Sequence, residues 1–522
     1  MEIDFKKFFT KPENGTAFIC EQVSEDIKKM TRMINSAILA FLLVFSVTSF
    51  VFAKGEYQIY ELSLAKVMSI ALDNNLDIQM AKYDAFISET SLDTAQSIFD
   101  VILDANINYQ NDKAKKTSPL SGTKTIDNDY NLGISKKFSS GTTIEADMDN
   151  NRNRTDSSSV SSALNHNSSL GISLTQELGK NFFGIQDRNN ISVTKLNIEN
   201  SGYTSLEKIE TILSVVKKAY WDLVLQLKKV EIQKDMVGQA KRLYTLNREK
   251  MKDGLVELPE VIASEANYKD RINNLALEEN LVKTKENILK LLLNINEDNI
   301  VIKTTDDYLL DIAEQDFTKS LKSAFDNRRD YLRAMNAIKI QDINLVGKKN
   351  SILPSINLTA SLVKNGLGDH FKESVTNITA EDNINYFVGL TFSLPFENRN
   401  AKAKLKKTEY EKSKALITLK LVERIITIGI SDQVRDCNIY REFALNSIEI
   451  AKLQAQKLKE EEKRFNLGRS NTDTLIRYQE DVLLAKQASV LAQYRFYSAL
   501  IDLELEKGIM IVNYNFSSKN RR

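Results

Sequence analysis

The chain carries its architecture twice. Leu64 to Tyr109 and Leu321 to Val363 each open on an apolar-periodic helix, with Ala71-Leu72-Asp73-Asn74-Asn75 answered by Ala324-Phe325-Asp326-Asn327-Arg328. Each runs on into a short strand-like stretch, Ser97-Ile98-Phe99-Asp100-Val101 in one copy and Ser351-Ile352-Leu353-Pro354-Ser355 in the other. The copies are spaced there by 253 to 254 residues. Leu170-Gly171-Ile172-Ser173-Leu174 then matches Val388-Gly389-Leu390-Thr391-Phe392 at a spacing of 218. The turn Lys252-Asp253-Gly254-Leu255 matches Asn466-Leu467-Gly468-Arg469 at 214. A duplicated helix–strand–helix unit restricts the architecture before any motif is considered.

The helices are long. The 522 residues include five prolines, Pro12, Pro119, Pro259, Pro354 and Pro395, none inside a strongly periodic stretch. A proline costs about 3 kcal/mol in a helix interior, so uninterrupted periodicity free of it marks extended helices. Leu206, Ile209, Leu213, Val216, Tyr220, Leu223, Leu227 and Val230 follow 3-4 spacing, and Cys437, Ala444, Ala451, Leu458 and Phe465 are spaced by sevens. Such spacing specifies helices packed side by side at a shallow angle. The reading is a helix from about Ile185 to Arg248, a turn at Gly254, and a helix starting at Pro259 and ending near Asn294. The second copy repeats it, from about Asn398 to Asn466, a turn at Gly468, and a helix to about Lys507. A fibrous coiled coil or spectrin-like rod accounts for these helices but not for the strands.

After Phe99 the period changes to two. Val101, Leu103, Ala105, Ile107 and Tyr109 alternate with Ile102, Asp104, Asn106 and Asn108. The same alternation marks Leu132 with Ile134, Ile144 to Met148, Leu170 to Leu174, Ile356 to Leu362 and Tyr386 to Leu394. A half-buried soluble sheet gives this pattern, and so does a transmembrane β-barrel. Six such segments, joined to rods behind a secretory signal, favour the barrel. Six strands, or four if the inner pair stands outside the membrane, are too few to enclose a pore. An open edge in lipid would leave backbone groups unsatisfied, so closure requires several chains. The repeat spacing falls from 254 to 218, which puts 36 extra residues in the first copy, between about Gln110 and Ser168. They read as an added hairpin turning at Ser139-Ser140-Gly141, with long loops, on the outer side of the barrel.

Residues 34–53 form the one long apolar run, preceded by Lys28, Lys29 and Arg32, with Val51 and Ala53 placed for cleavage before Lys54. This is the pattern of a secretory signal peptide with an unusually long lead, and a start at Met30 or Met33 would make it ordinary. A permanent anchor is the alternative, since about 20 apolar residues also span a bilayer. The cleaved chain would keep one cysteine, Cys437, and hence no intrachain disulfide. Lys and Arg total 71 against 70 for Asp and Glu, so no basic field recruits nucleic acid. No catalytic, cofactor or metal site emerges. His166 and His370 read as loop residues, Gly366-Leu367-Gly368 as a turn, and Asp127-Asn128-Asp129 and Asp147-Met148-Asp149-Asn150 as solvated loops lacking the rest of a calcium site.

From about Leu62 to Gly508 the chain resembles the TolC-like outer-membrane factor family. Besides the duplication, the carriers are Ala219-Tyr220-Trp221-Asp222-Leu223, Leu353-Pro354-Ser355-Ile356, and Phe465 to Thr472 running on to Tyr478-Gln479-Glu480-Asp481. The resemblance implies a mainly α fold with a membrane β-barrel part: a long α-helical coiled-coil barrel plus a β-barrel shared between protomers of a homotrimer. It implies a signal segment at 1–53, a first repeat at 54–294 with strands at about 100–178 including the hairpin 110–168, and a connector at 295–316. A second repeat at 317–507 with strands at about 354–394 and a tail at 508–522 would follow, connector and tail forming a belt around the tunnel. It implies a passive conduit in outer-membrane lipid for efflux or type I secretion, served by a periplasmic adaptor and an inner-membrane pump. The tips Gly254, Leu255, Gly468 and Arg469 would meet the adaptor. The family's gate often uses carboxylates six and nine residues after the second tip glycine. Here those positions hold Thr474 and Arg477, with Asp473 adjacent, while the first copy offers Glu260. A mixed ring of Glu260 and Arg477 is one reading and solvated helix starts are the other. A structural or adhesive surface protein with a coiled-coil stalk is the alternative function. An adaptor is a further rival, but adaptors usually carry a single helical hairpin and this chain has two.

Overall fold

The computed structural model describes residues 58–115, 122–157, 162–296, 300–308 and 313–511. The apolar run 34–53, Met30, Met33 and residues 512–522 lie outside these. The chain divides into two units, 1–60 with 297–301, and 61–296 with 302–522. In chain order the first repeat comprises β1 (Gln58–Leu62), α1 (Leu64–Asn74), α2 (Leu76–Gln96), β2 (Val101–Asp112), β3 (Thr125–Lys137), β4 (Thr142–Thr155), β5 (Leu164–Glu177), α3 (Ile185–Lys252) and α4 (Leu258–Leu293). After β6 (Ile300–Thr304), which pairs with β1, come α5 (Phe317–Asn327), α6 (Arg329–Asn350), β7 (Ser355–Gly368), α7 (Phe371–Ala380), β8 (Ile384–Ser393), α8 (Arg399–Asn466) and α9 (Thr472–Glu506).

Within the second unit α3 and α8 are the spines, each 68 residues long. At 1.5 Å per residue each measures about 100 Å. Helices α2 and α4 pack along α3, and α6 and α9 along α8, with α9 and α6 also against α3. The two repeats solve the junction of their shorter helices alike. Asn75, between α1 and α2, donates through Nδ2 to the carbonyl of Leu292 at the end of α4, at 2.8 Å. Its repeat equivalent Arg328, between α5 and α6, donates through Nη1 to the carbonyl of Glu506 at the end of α9, at 3.4 Å. Each bond satisfies a terminal helix carbonyl that lacks an intrahelical partner. The core follows the apolar stripes. Ile426, Ile430, Val434 and Cys437 of α8 pack with Ala324 of α5 and Ala499 and Leu503 of α9, while Met236 and Leu243 of α3 pack with Leu458, Phe465, Leu475 and Val482 nearer the turns.

The six-stranded sheet is antiparallel throughout, in the order β2-β3-β4-β5-β7-β8. Three expectations change here. The stretches 97–99 and 351–353 are turns that extend the preceding helices, and the strands begin at Val101 and Ser355. Ser97 and Ser351 each return a hydroxyl hydrogen bond at 2.8 Å to a carbonyl of the preceding helix, which prolongs its last turn. The extra hairpin is not confined to an outer side. Its strands are 13 and 14 residues long and fill the sheet between β2 and β5. Its turn lies at the helix-bearing end, where a Cβ on Gly184, just before α3, would come within 2.3 Å of the Ser139 carbonyl. Finally, His166, Asp127 to Asp129, Asp147 to Asn150 and Gly366 to Gly368 are strand residues rather than loops. Their side chains alternate faithfully across the sheet, so polarity alone hid them from a reading that expects strands to be apolar.

Candidate functional site

The sheet has two unlike faces. On one, successive cross-strand rows read Leu103, Ile134, Ala146, Ile172, Leu362, Tyr386, and then Ala105, Leu132, Met148, Leu170, Lys364, Ile384. Its large apolar side chains are exposed over the whole breadth of the sheet, Leu103 by 67% and Val388 by 72%. A contiguous apolar surface of this extent requires a non-aqueous neighbour or another protein. Towards the end away from the long helices the same face turns polar, with Asn150, Ser168 and His166. There α7 lies over it: Ser168 shares a hydrogen bond with Ser374 at 2.7 Å, and a Cβ on Gly366 would meet the Ser374 carbonyl at 2.2 Å. The glycines of β7 are thus required by the close approach of α7. The opposite face carries Asp104 on β2, Asp127 and Asp129 on β3, and Glu145, Asp147 and Asp149 on β4, mostly among Asn, Ser, Thr and Gly, with Ile102, Val363, Leu367 and Phe387 as apolar exceptions. Among the described residues the two outer strands β2 and β8 each leave one edge unpaired. They run antiparallel to one another and present the apolar face on the same side.

The second candidate region is the pair of turns joining the long and short helices. Gly254 and Gly468 close them with φ of +71° and +72°, values that glycine adopts without strain. The closures match bond for bond. Leu255 N–H donates to the Lys250 carbonyl and Arg469 N–H to the Arg464 carbonyl, both at 2.8 Å, after which Leu255 and Leu467 protrude, 73% and 69% exposed. Glu260 closes a capping box on α4, accepting at 3.3 Å from the Glu257 N–H. Thr474 donates its N–H to Oδ1 of Asn471, the residue capping α9, at 2.8 Å, and Asp473 lies in the same first turn. Arg477 lies 5.7 Å from the Tyr478 ring centre. Among the described residues no hydrogen bond or ion pair joins Glu260 to Arg477. These four side chains sit at helix starts on the two tips.

What joins the tips escaped the sequence reading. Asn247, wholly buried in α3, donates at 3.1 Å to Thr472 Oγ1 and at 3.4 Å to the Glu260 carbonyl. The Arg271 guanidinium of α4, almost wholly buried, pairs with Glu480 of α9. Lys457 bridges α8 to α9, 2.7 Å from Asp481 and 3.8 Å above the Tyr478 ring. Asn247 was signalled: it is a polar residue four after Leu243 on an otherwise apolar stripe. Arg271 and Glu480 carried no signal, because each looks like any surface charge until the helices are docked.

Among the described residues no helix is long and apolar enough to cross a membrane, and no cluster of His, Cys, Asp and Glu is placed to hold a metal ion. His166 meets Asn150 at 3.3 Å and the edge of the Phe371 ring.

No protein-family model matches the sequence, and no curated protein does. Solved structures do match by fold. The CmeC outer membrane channel of Campylobacter jejuni superposes with a TM-score of 0.61 at 16% identity over 85% of each chain. The outer membrane protein VceC of Vibrio cholerae gives 0.62 at 14% identity, over 85% of this chain and 96% of that one. The open state of the MtrE outer membrane channel of Neisseria gonorrhoeae gives 0.61 at 16%, over 85% and 88%. The chain therefore has the fold of these outer-membrane channels, a TolC-like combination of long paired helices with an antiparallel sheet.

Proposed function

We propose that this chain is a subunit of a passive conduit in an outer membrane. The observation that carries the reading is the sheet: a broad apolar face, a polar face, and two unpaired antiparallel edges on one chain. In lipid such edges must be paired, and the only arrangement that pairs every copy's β2 and β8 is a closed ring of copies. We take the number to be three, as the resemblance to TolC-like factors implies. The apolar face then meets lipid, the polar face lines a lumen, and the long helices continue the passage into the periplasm.

No step of chemistry is required. Export would depend on parting the tips around Gly254 and Gly468, where exposed Leu255 and Leu467 offer apolar contacts to a periplasmic adaptor coupled to an inner-membrane pump. Glu260, Asp473, Thr474 and Arg477 are proposed as residues lining that constriction. The cargo, as drug or as secreted protein, would be chosen by the pump.

Membrane fractionation tests this reading. The chain should co-sediment with outer membrane, resist carbonate or urea washing, and run as a heat-sensitive oligomer. Deleting it should raise sensitivity to small toxic compounds or block export of a protein. A chain that peels from the membrane as a monomer would favour a stalk-like surface protein instead.

A further inference from the structure

The charges of the sheet are sorted by face. Every carboxylate in the six strands projects from the polar face. Of the basic side chains, Lys136, Arg152, Arg154 and Lys364 project from the other face. Lys137 alone shares the acidic face, at the helix-bearing end, and it is held by Asp187 at 2.8 Å and by Glu177.

Within that face β3 and β4 form a ladder of direct cross-strand pairs: Asp127 opposite Asn153, Asp129 opposite Asn151, and Asn131 opposite Asp149. In each pair the asparagine amide donates to the carboxylate, at 2.5 Å for Asn151 and Asp129. A neutral amide occupies an acceptor of the carboxylate and brings no opposite charge. Asp147 and Glu145 continue the row of β4 opposite Gly133 and Ser135. Among the described residues no ion pair engages these five carboxylates. All five belong to the inserted hairpin, which the second repeat lacks. Strands β7 and β8 contribute no charge to this face. Asp104 and Asp112 of β2 and Glu177 of β5 share the face, so the insert supplies five of its eight carboxylates.

We propose that the β3–β4 hairpin is a charge-selecting insert, whose Asp127, Asp129, Glu145, Asp147 and Asp149 make the outer passage favour cations and cationic solutes over anions. The proposal rests on the conduit reading, which places this face in the lumen. Fixed charges without fixed partners in a narrow aqueous passage are neutralised by mobile ions of opposite sign. Side chains on the lumen face tune selectivity without touching the lipid face. No tightly bound ion is involved.

The test is the reversal potential of the purified full-length channel in a planar bilayer across a tenfold KCl gradient. The native channel should favour K+ over Cl− by at least about threefold. The variant D127N/D129N/E145Q/D147N/D149N should fall towards equal permeability while still conducting. The single variant E145Q, outside the asparagine ladder, should fall in the same direction by less, and it serves should the fivefold variant not assemble. A native channel without cation preference, or a preference that survives these substitutions, overturns the proposal and leaves the conduit standing. Absence of any conductance, including after Asn247→Ala and Glu480→Ala loosen the tips, removes the conduit, and the proposal with it.

Discussion

Asn247 on α3 reaches Thr472 at the first turn of α9 across 3.1 Å, so one buried amide ties the tip of the first repeat to the tip of the second. The same amide touches the Glu260 carbonyl at the start of α4. Asn247→Ala removes both bonds and leaves a small gap at a wholly buried position. It should lower the stability of the tip by about 1–2 kcal/mol. Hydrogen exchange at 247–262 and 470–478 would report it as faster opening, with the sheet unaffected.

The pair Arg271–Glu480 is unequal in burial, the guanidinium side chain being 7% exposed and the carboxylate 42%. Removing the acid strands a buried charge, whereas removing the base leaves a half-exposed carboxylate that water can solvate. Glu480→Ala should therefore destabilise more than Arg271→Met, by about 1–2 kcal/mol. Denaturant unfolding of the two single variants and the double variant measures the difference and the coupling.

Glu210 of α3 is 3% exposed. Burial raises its pKa above the ordinary range, partly offset by the Arg329 charge nearby. A raised folded pKa means the folded chain holds the proton longer than the unfolded one. The associated stability is complete below the unfolded value of about 4.3 and is lost as pH rises through the raised folded value. Asp330 behaves oppositely. Burial would raise it, but hydrogen bonding and charge from Arg328 outweigh burial and hold it low. Its contribution is present above about 3.9 and is lost as pH falls through its depressed value. Thermal unfolding from pH 3 to 7 should show Glu210→Gln losing the decline above pH 4 and Asp330→Asn losing the acid-side rise.

Cys437 lies wholly buried in α8, and burial pushes its thiol up to about 12. The thiolate is the reactive form. Folded protein should resist maleimide at pH 7.5 and react promptly once denaturant unfolds the helices, which mass spectrometry would count.

Replacing Gly366 with alanine drives a methyl into the backbone of α7 at Ser374 and Ile378. Backbone cannot step aside as a flexible side chain can, so α7 should lift from the sheet. Limited proteolysis of Gly366→Ala should cleave within 369–382 faster than in the native chain.

The helices and their turns were legible because their signals are local. The 3-4 stripe from Leu206 to Val230 and the glycines at 254 and 468 need no distant partner to be read. Strand β4 shows the limit. Asp147 to Asn150 and Asn151 to Thr155 resemble a solvated loop, and their place in the sheet comes from pairing with Thr125 to Gly133 and with Leu164 to Gly171. Strands with so many polar side chains violate the apolar expectation that identifies strands. For the tips, Gly254, Leu255, Gly468 and Arg469 were readable from the turn itself. Asn247 showed only as a polar break in an apolar stripe, and Arg271 and Glu480 not at all, because their role exists only after four helices meet.

Single-channel recording of the detergent-purified oligomer in a planar bilayer tests whether this chain forms a conduit. Discrete, reproducible conductance steps are expected from an oligomer that dissociates on heating. An intact, outer-membrane-extracted oligomer that never conducts, including after Asn247→Ala and Glu480→Ala loosen the tips, would contradict the conduit.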